Sequence, residues 1–187
     1  TNSNTQPRTE KDKILVVNGE GLVQAAPDQA SITLGVLTEN KDPAIAQQEN
    51  AAVIATVLTA MTSVGIPDDH IKTTDYRIEP QYDYKEGKEF FRNYKVTHLI
   101  ELQTSEIDKV GSIVDTAVKN GANSVSNVRF SLAQPEKAYN QALSISLKNA
   151  YQKAITITQT IGTTLDPVPL KVTEQSGETA PAFYQTN

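Results

Sequence analysis

Apolar and polar positions alternate along two stretches near the start of the chain. Residues 14 to 25 (ILVVNGEGLVQA) and 30 to 38 (ASITLGVLT) are β-rich, and in the second Ala30, Ile32, Leu34 and Val36 share one face. Pro27-Asp28 punctuates them, which predicts a hairpin. The period then changes to that of a helix. Asp42 is a natural N-cap and Pro43 a natural first helical residue, and Ile54, Val57, Leu58, Met61 and Val64 follow at helical spacing until Gly65 and Pro67 stop the run.

Period two returns over 71 to 84. There Thr74, Tyr76, Ile78, Tyr82 and Tyr84 share one face, while Asp75, Arg77, Glu79, Gln81 and Asp83 share the other. A polar turn around Glu86-Gly87-Lys88 leads to 94 to 103, where Tyr94, Val96, His98, Ile100 and Leu102 lie on one side, so the two runs predict an extended hairpin. Ser105 and Asp108 resemble a capping box for a helix with Ile107, Val110, Val114 and Ala117 inward, closed by Gly121. A short strand bears Val128, Phe130 and Leu132 on one side. Pro135 opens the longest helix, 135 to 161, ended by Gly162; along it Ala138, Ala142, Ser146, Ala150, Ala154 and Thr158 recur every four residues, a row small enough for another element to approach closely. A last strand is expected around Val168, Leu170 and Val172. The order ββαββαβαβ implies an α+β fold: a mixed, largely antiparallel sheet with helices packed on one face.

Composition narrows the function more than the fold. With 187 residues the chain can bury a core without metal or disulfide staples. A net charge of -5 argues against nucleic acid or an anionic membrane as partner, since both need a positive field. No apolar run reaches the roughly 18 to 20 residues that span a bilayer. Cysteine is absent, which removes disulfides, thiolate metal sites and cysteine nucleophiles. Residues 1 to 13 (TNSNTQPRTEKDK) are polar, lack the apolar core of a signal peptide and read as a solvated tether; 14 to 175 read as the folded domain, and 176 to 187 as a polar tail.

No catalytic constellation is recognisable. Gly19-Glu20-Gly21 follows an apolar run but lacks the third glycine and the following helix of a dinucleotide fingerprint, so it marks a bulge or a close backbone approach. His70 and His98 each stand alone, without a second ligand type at metal or triad spacing, and read as structural. Asp68-Asp69 follows a helix stop and reads as turn chemistry. The chain therefore implies no cofactor and no metal. What stands out is aromatic clustering: Tyr76, Tyr82, Tyr84, Phe90, Phe91 and Tyr94 crowd one hairpin of a chain with seven tyrosines and four phenylalanines. Strand pairing accounts for part of this. Phe90 and Phe91 are adjacent, point to opposite faces and sit among charges, so at least one is expected at the surface as a partner or subunit contact.

Taken in order, VVNGEGLVQAAPDQASITLGV, Gln48-Glu49-Asn50-Ala51, Gly65-Ile66, IKTTDYRIEPQYDY, GANSVSNVRFSL and the alanine-spaced last helix resemble the SIMPL family, a bacterial domain of unknown function, over residues 14 to 175. The resemblance implies a periplasmic, secreted or lipid-anchored protein related to envelope antigens, with any anchor upstream of residue 1. It also implies assembly into oligomers in some members, a link to oxidative-stress defence, and no established catalytic residues. Relatives carry a further strand after 175 where GETAPAFYQTN has none, so an unpaired sheet edge is expected. The leading expectation is a non-enzymatic envelope domain acting by self-assembly or partner binding. Two others stand beside it: a small-molecule or peptide binder with a Tyr-rich cleft, and a carboxylate-based hydrolase.

Overall fold

The computed structural model of the chain describes residues 13–175. The tether expected over 1–13 lies, Lys13 apart, outside the described residues, as does the tail expected over 176–187. The regular elements are β1 (Gln29–Asn40), α1 (Pro43–Ser63), β2 (Ile71–Lys85), β3 (Lys88–Thr104), α2 (Val110–Lys119), β4 (Ser124–Ser131) and α3 (Pro135–Thr160). This is the expected α+β class, with its elements in the expected order. The chain divides into two compact units: 24–138, and 13–23 together with 139–175.

In the first unit one antiparallel sheet runs in the order β2-β3-β1-β4. Its inner strands, β1 and β3, carry the unbroken apolar alternation. Ile32, Leu34, Val36, Ile100 and Leu102 are fully buried on one face, where Val57 and Met61 of α1 and Ile113 and Ala117 of α2 cover them. Burying each large side chain contributes about 1.5–3 kcal/mol. The stops work as expected. Asp42 Oδ1 accepts the Ala44 N–H at 2.8 Å, and past α1 the Ile66 N–H reaches Met61 O while Gly65 takes φ +95°, a conformation glycine reaches without a Cβ clash. The expected Ser105–Asp108 capping box does not form. A single turn of 3-10 helix, Ile107–Lys109, precedes α2, and Thr104 Oγ1 accepts the Glu106 N–H instead.

The expected hairpin between 14–25 and β1 is also absent, because both flanks of β1 are already paired, with β3 on one side and β4 on the other. In the second unit residues 14–23 form no ladder and lie along α3. A Cβ at Gly19 would overlap the Ser146 carbonyl oxygen and stand 2.7 Å from the Ala150 Cβ, and one at Gly21 would overlap Ala142 O. Close backbone approach at Gly19-Glu20-Gly21 and the row of small residues on α3 are thus the two sides of one contact. Lys153 Nζ donates to Asn18 O at 2.9 Å, and the Glu20 N–H donates to Asn149 Oδ1 at 3.3 Å. The strand expected at 168–172 is irregular, with Pro167 and Pro169 removing two backbone donors. Among the described residues no helix is long and apolar enough to cross a membrane.

Candidate contact surface

β2 and β3 join through Glu86 and Gly87 at φ +50° and +75°, a two-residue turn whose positive angles match the right-handed twist of the strands. Two irregularities then decide which side chains share a face. Asp75 pairs with Leu99 directly after Thr73 pairs with Ile100, so Thr74 is an extra residue in β2. Tyr82 pairs with Phe91 directly after Gln81 pairs with Asn93, so Arg92 is an extra residue in β3. A regular strand would put Phe91 and Tyr94 on opposite faces; the bulge at Arg92 puts them on the same one.

The result is a hairpin with two chemically distinct faces. One continues the helix-covered side of the sheet and carries Tyr76, Ile78, Tyr82, Tyr84, Phe91 and Tyr94. Tyr82 meets Phe91 edge-on with ring centroids 6.1 Å apart, and Phe91 meets Tyr94 at 5.2 Å. Tyr76 stands edge-on to His98 at 5.2 Å, and Thr73 Oγ1 pairs with His98 Nε2 at 3.1 Å. This satisfied ring is the structural histidine expected from the sequence, and burial pushes its pKa down, so it is neutral at neutral pH. Tyr84, near the turn, donates to the Glu89 carboxylate; that bond and the Glu89 charge hold the phenol pKa above its ordinary value.

The opposite face is laced with ion pairs. Arg77 bridges Asp75 and Glu79 at 3.5 and 3.4 Å, Arg92 reaches Asp83 at 3.5 Å and Glu39 at 3.7 Å, and Lys72 meets Glu101 at 3.0 Å. Such exposed pairs contribute about 0–1 kcal/mol each, so they keep this face wet more than they hold the hairpin together. Phe90, opposite Asp83, is the aromatic exception on it.

The structure therefore gathers Tyr82, Phe91 and Tyr94 into one cluster, sets Tyr76 against His98, leaves Tyr84 at the tip, and separates Phe90 from the other five. Tyr76, Tyr82, Phe90 and Phe91 are 46–50% exposed and Tyr84 is 71% exposed. A shallow hollow beside Thr56, Thr59 and Ser63 of α1, and another beside Asn149 and Lys153 of α3, are lined by none of the six. Among the described residues no three His, Asp or Glu side chains gather as metal ligands. What the face offers chemically is aromatic area rimmed by phenol hydroxyls. Two positions in the sheet unit have roles that the sequence reading did not assign. Asn50, fully buried in α1, donates to Val36 O at 2.9 Å and stands four residues before Ile54 on the same stripe. Asn123 clasps Leu37 with two 2.8 Å side-chain bonds, extending the β1–β4 ladder past the end of β4.

A family model described as SIMPL, a protein of unknown function (DUF541), matches residues 15–187. Among curated proteins the chain is similar to the "Uncharacterized protein YggE" of Edwardsiella ictaluri, 29% identical over 155 residues, which are 82% of this chain and 65% of that protein. The protein of the same name from Escherichia coli is 28% identical over 154 residues, 82% of this chain and 63% of the relative. The "26 kDa periplasmic immunogenic protein" of Brucella melitensis is 30% identical over 159 residues, again 82% of this chain, and 64% of the relative. The chain thus spans just under two thirds of the length of these relatives.

Proposed function

Since the chain belongs to the SIMPL (DUF541) family, we propose that it is an extracytoplasmic, non-enzymatic domain that acts by protein contact, through self-assembly or partner binding, with the aromatic face of the β2–β3 hairpin as its contact surface. The observation that carries this reading is the exposure of that face. Tyr76, Ile78, Tyr82, Tyr84 and Phe91 stand on one side of a hairpin that runs beyond its helix cover, each more than a third exposed. Half-exposed tyrosine and phenylalanine in one patch match the residue types enriched at protein interfaces. The extracytoplasmic placement is supported by the Brucella relative, whose name describes it as periplasmic.

Light scattering across protein concentration tests the reading, with Tyr82→Ser/Phe91→Ser as the comparison. A concentration-dependent mass that falls in the double variant, with an unchanged circular dichroism melt, is the expected result. A strict monomer that also fails to bind any envelope protein in crosslinking would overturn it.

A further inference from the structure

The order β2-β3-β1-β4 leaves β2 and β4 as the edges of the sheet, and they differ in kind. β2 is blunted: Pro80 removes a backbone donor mid-strand, Thr74 bulges out, and Lys72, Asp75, Arg77 and Glu79 stud it with charge. These are the devices by which sheets avoid edge-to-edge pairing. β4 (SVSNVRFS) has an extra residue too, Ser126, between the Thr33↔Asn127 and Leu34↔Val125 pairs, but its Asn127–Ser131 stretch is regular, the strand has no proline or lysine, and Arg129 is its one charge.

The backbone direction of β4 follows from its neighbours. Gly35 O accepts the Asn123 N–H, Leu37 exchanges both its backbone groups with the Asn123 side chain, and Ser131 O accepts the Asp28 N–H. The odd-numbered residues of β1 therefore point their polar groups at β4, and through the register Gln29↔Ser131, Ser31↔Arg129 and Thr33↔Asn127 it is Asn127, Arg129 and Ser131 of β4 that point back. By alternation the N–H and C=O of Val128 and Phe130 point outward along the edge, with no partner among the described residues. Val128 and Phe130 also carry their side chains on the helix-covered side of the sheet, 40% and 37% exposed.

We infer that this edge is a docking strand for a second copy of the chain, two β4 strands pairing antiparallel about Val128 to join two sheets into one. This rests on the contact reading above and names one partner for it. The sequence of β4 is self-complementary in this register. Val128 exchanges both backbone hydrogen bonds with the partner's Val128, Arg129 stands opposite the partner's Asn127, and the regular pairing ends where Phe130 meets the bulge at the partner's Ser126. Centring the pair one residue on, at Arg129, would set two guanidinium groups face to face and offer backbone groups already bonded to β1. The same patch meets itself, as a two-fold contact requires.

The chain has no cysteine, so Val128→Cys introduces a single thiol. Opposed residues of a hydrogen-bonded antiparallel pair have Cα atoms about 5.5 Å apart, within disulfide reach. Under mild oxidation Val128→Cys should run as a covalent dimer on non-reducing gels while Gln48→Cys, exposed on α1 and outside both contact surfaces, stays monomeric. Val128→Lys should weaken association at least about tenfold with its melt unchanged. An oligomer whose Val128→Cys form does not crosslink and whose mass ignores Val128→Lys overturns the β4 edge and leaves assembly to the aromatic hairpin. A parent chain that is monomeric at every concentration overturns this pairing and, for self-assembly, the reading beneath it.

Discussion

Replacing Gly19 with alanine probes the contact that organises the second unit. The added Cβ has two obstacles: the Ser146 carbonyl oxygen, with which it overlaps, and the Ala150 Cβ at 2.7 Å. Both belong to the helix itself, one as backbone and one as the first side-chain atom, so no rotamer change relieves them. Overpacking of this kind costs about 1–3 kcal/mol, and the loss of unfolded-state freedom on going from glycine to alanine offsets about 0.4–1 kcal/mol of it. The net expectation is a loss of about 1–2 kcal/mol, roughly a tenfold rise in the open population of the 14–23 segment. Gly21→Ala, against Ala142 O, should do the same. Gly111→Ala is the matched control: it lies in α2 with nothing within 4 Å of a Cβ, and there helix propensity favours alanine by several tenths to about 1 kcal/mol. The same chemical change should therefore have opposite signs at the two sites. Hydrogen exchange read by mass spectrometry separates them, with faster exchange in α3 for Gly19→Ala and slower exchange in α2 for Gly111→Ala. Unchanged α3 protection in both Gly19→Ala and Gly21→Ala would refute the packing of 14–23 on the small-residue row.

Two further outcomes follow from the sheet unit. Glu86 holds φ +50°, a strained angle for a side chain with a Cβ, next to Gly87; Glu86→Asn makes the preferred Asn-Gly turn and should raise stability by about 0.5–1 kcal/mol in urea titration, a fall in midpoint counting against the turn type. Stability should also fall with acid in two separable windows. His98 has a folded pKa below its ordinary 6.5, so the unfolded chain binds the proton first and stability is lost as pH drops from about 6.5 through the lowered folded value. Glu101, held below 4.5 chiefly by its hydrogen bond from Lys72, keeps its contribution above that value and loses it as pH falls through the depressed one. His98→Gln should flatten the first window and leave the second, and Lys72→Met the reverse; denaturation midpoints measured from pH 7.5 to 3.5 check both.

Much of the fold was legible because its signals are local. Asp42-Pro43 and Gly65 bound α1 through cap hydrogen bonds and one positive φ, and the alternation in 30–38 and 94–103 marks the two strands that are buried on one face. The aromatic hairpin could be named as a candidate surface for the same reason, since adjacent strand residues must face opposite ways. The face on which Phe91 sits could not be read that way, because the extra residue at Arg92 resets the alternation, and a bulge is fixed by pairing with β2 rather than by the residues themselves.

The early segment shows the same division. Composition marked 14–25 as β-rich and Gly19 and Gly21 as a bulge or a close approach, but a strand needs a neighbour with open hydrogen-bonding groups. With β3 and β4 occupying both flanks of β1, β1 cannot be that neighbour, and the segment instead lays its glycines on the small residues of α3. By itself, then, the sequence determined the elements from β1 to α3, the caps of α1 and the residue types that could touch. The tertiary structure decided which edges were taken and which faces were covered, because these depend on contacts between residues far apart in the chain, such as Leu34 with Ile100 and Glu20 with Asn149.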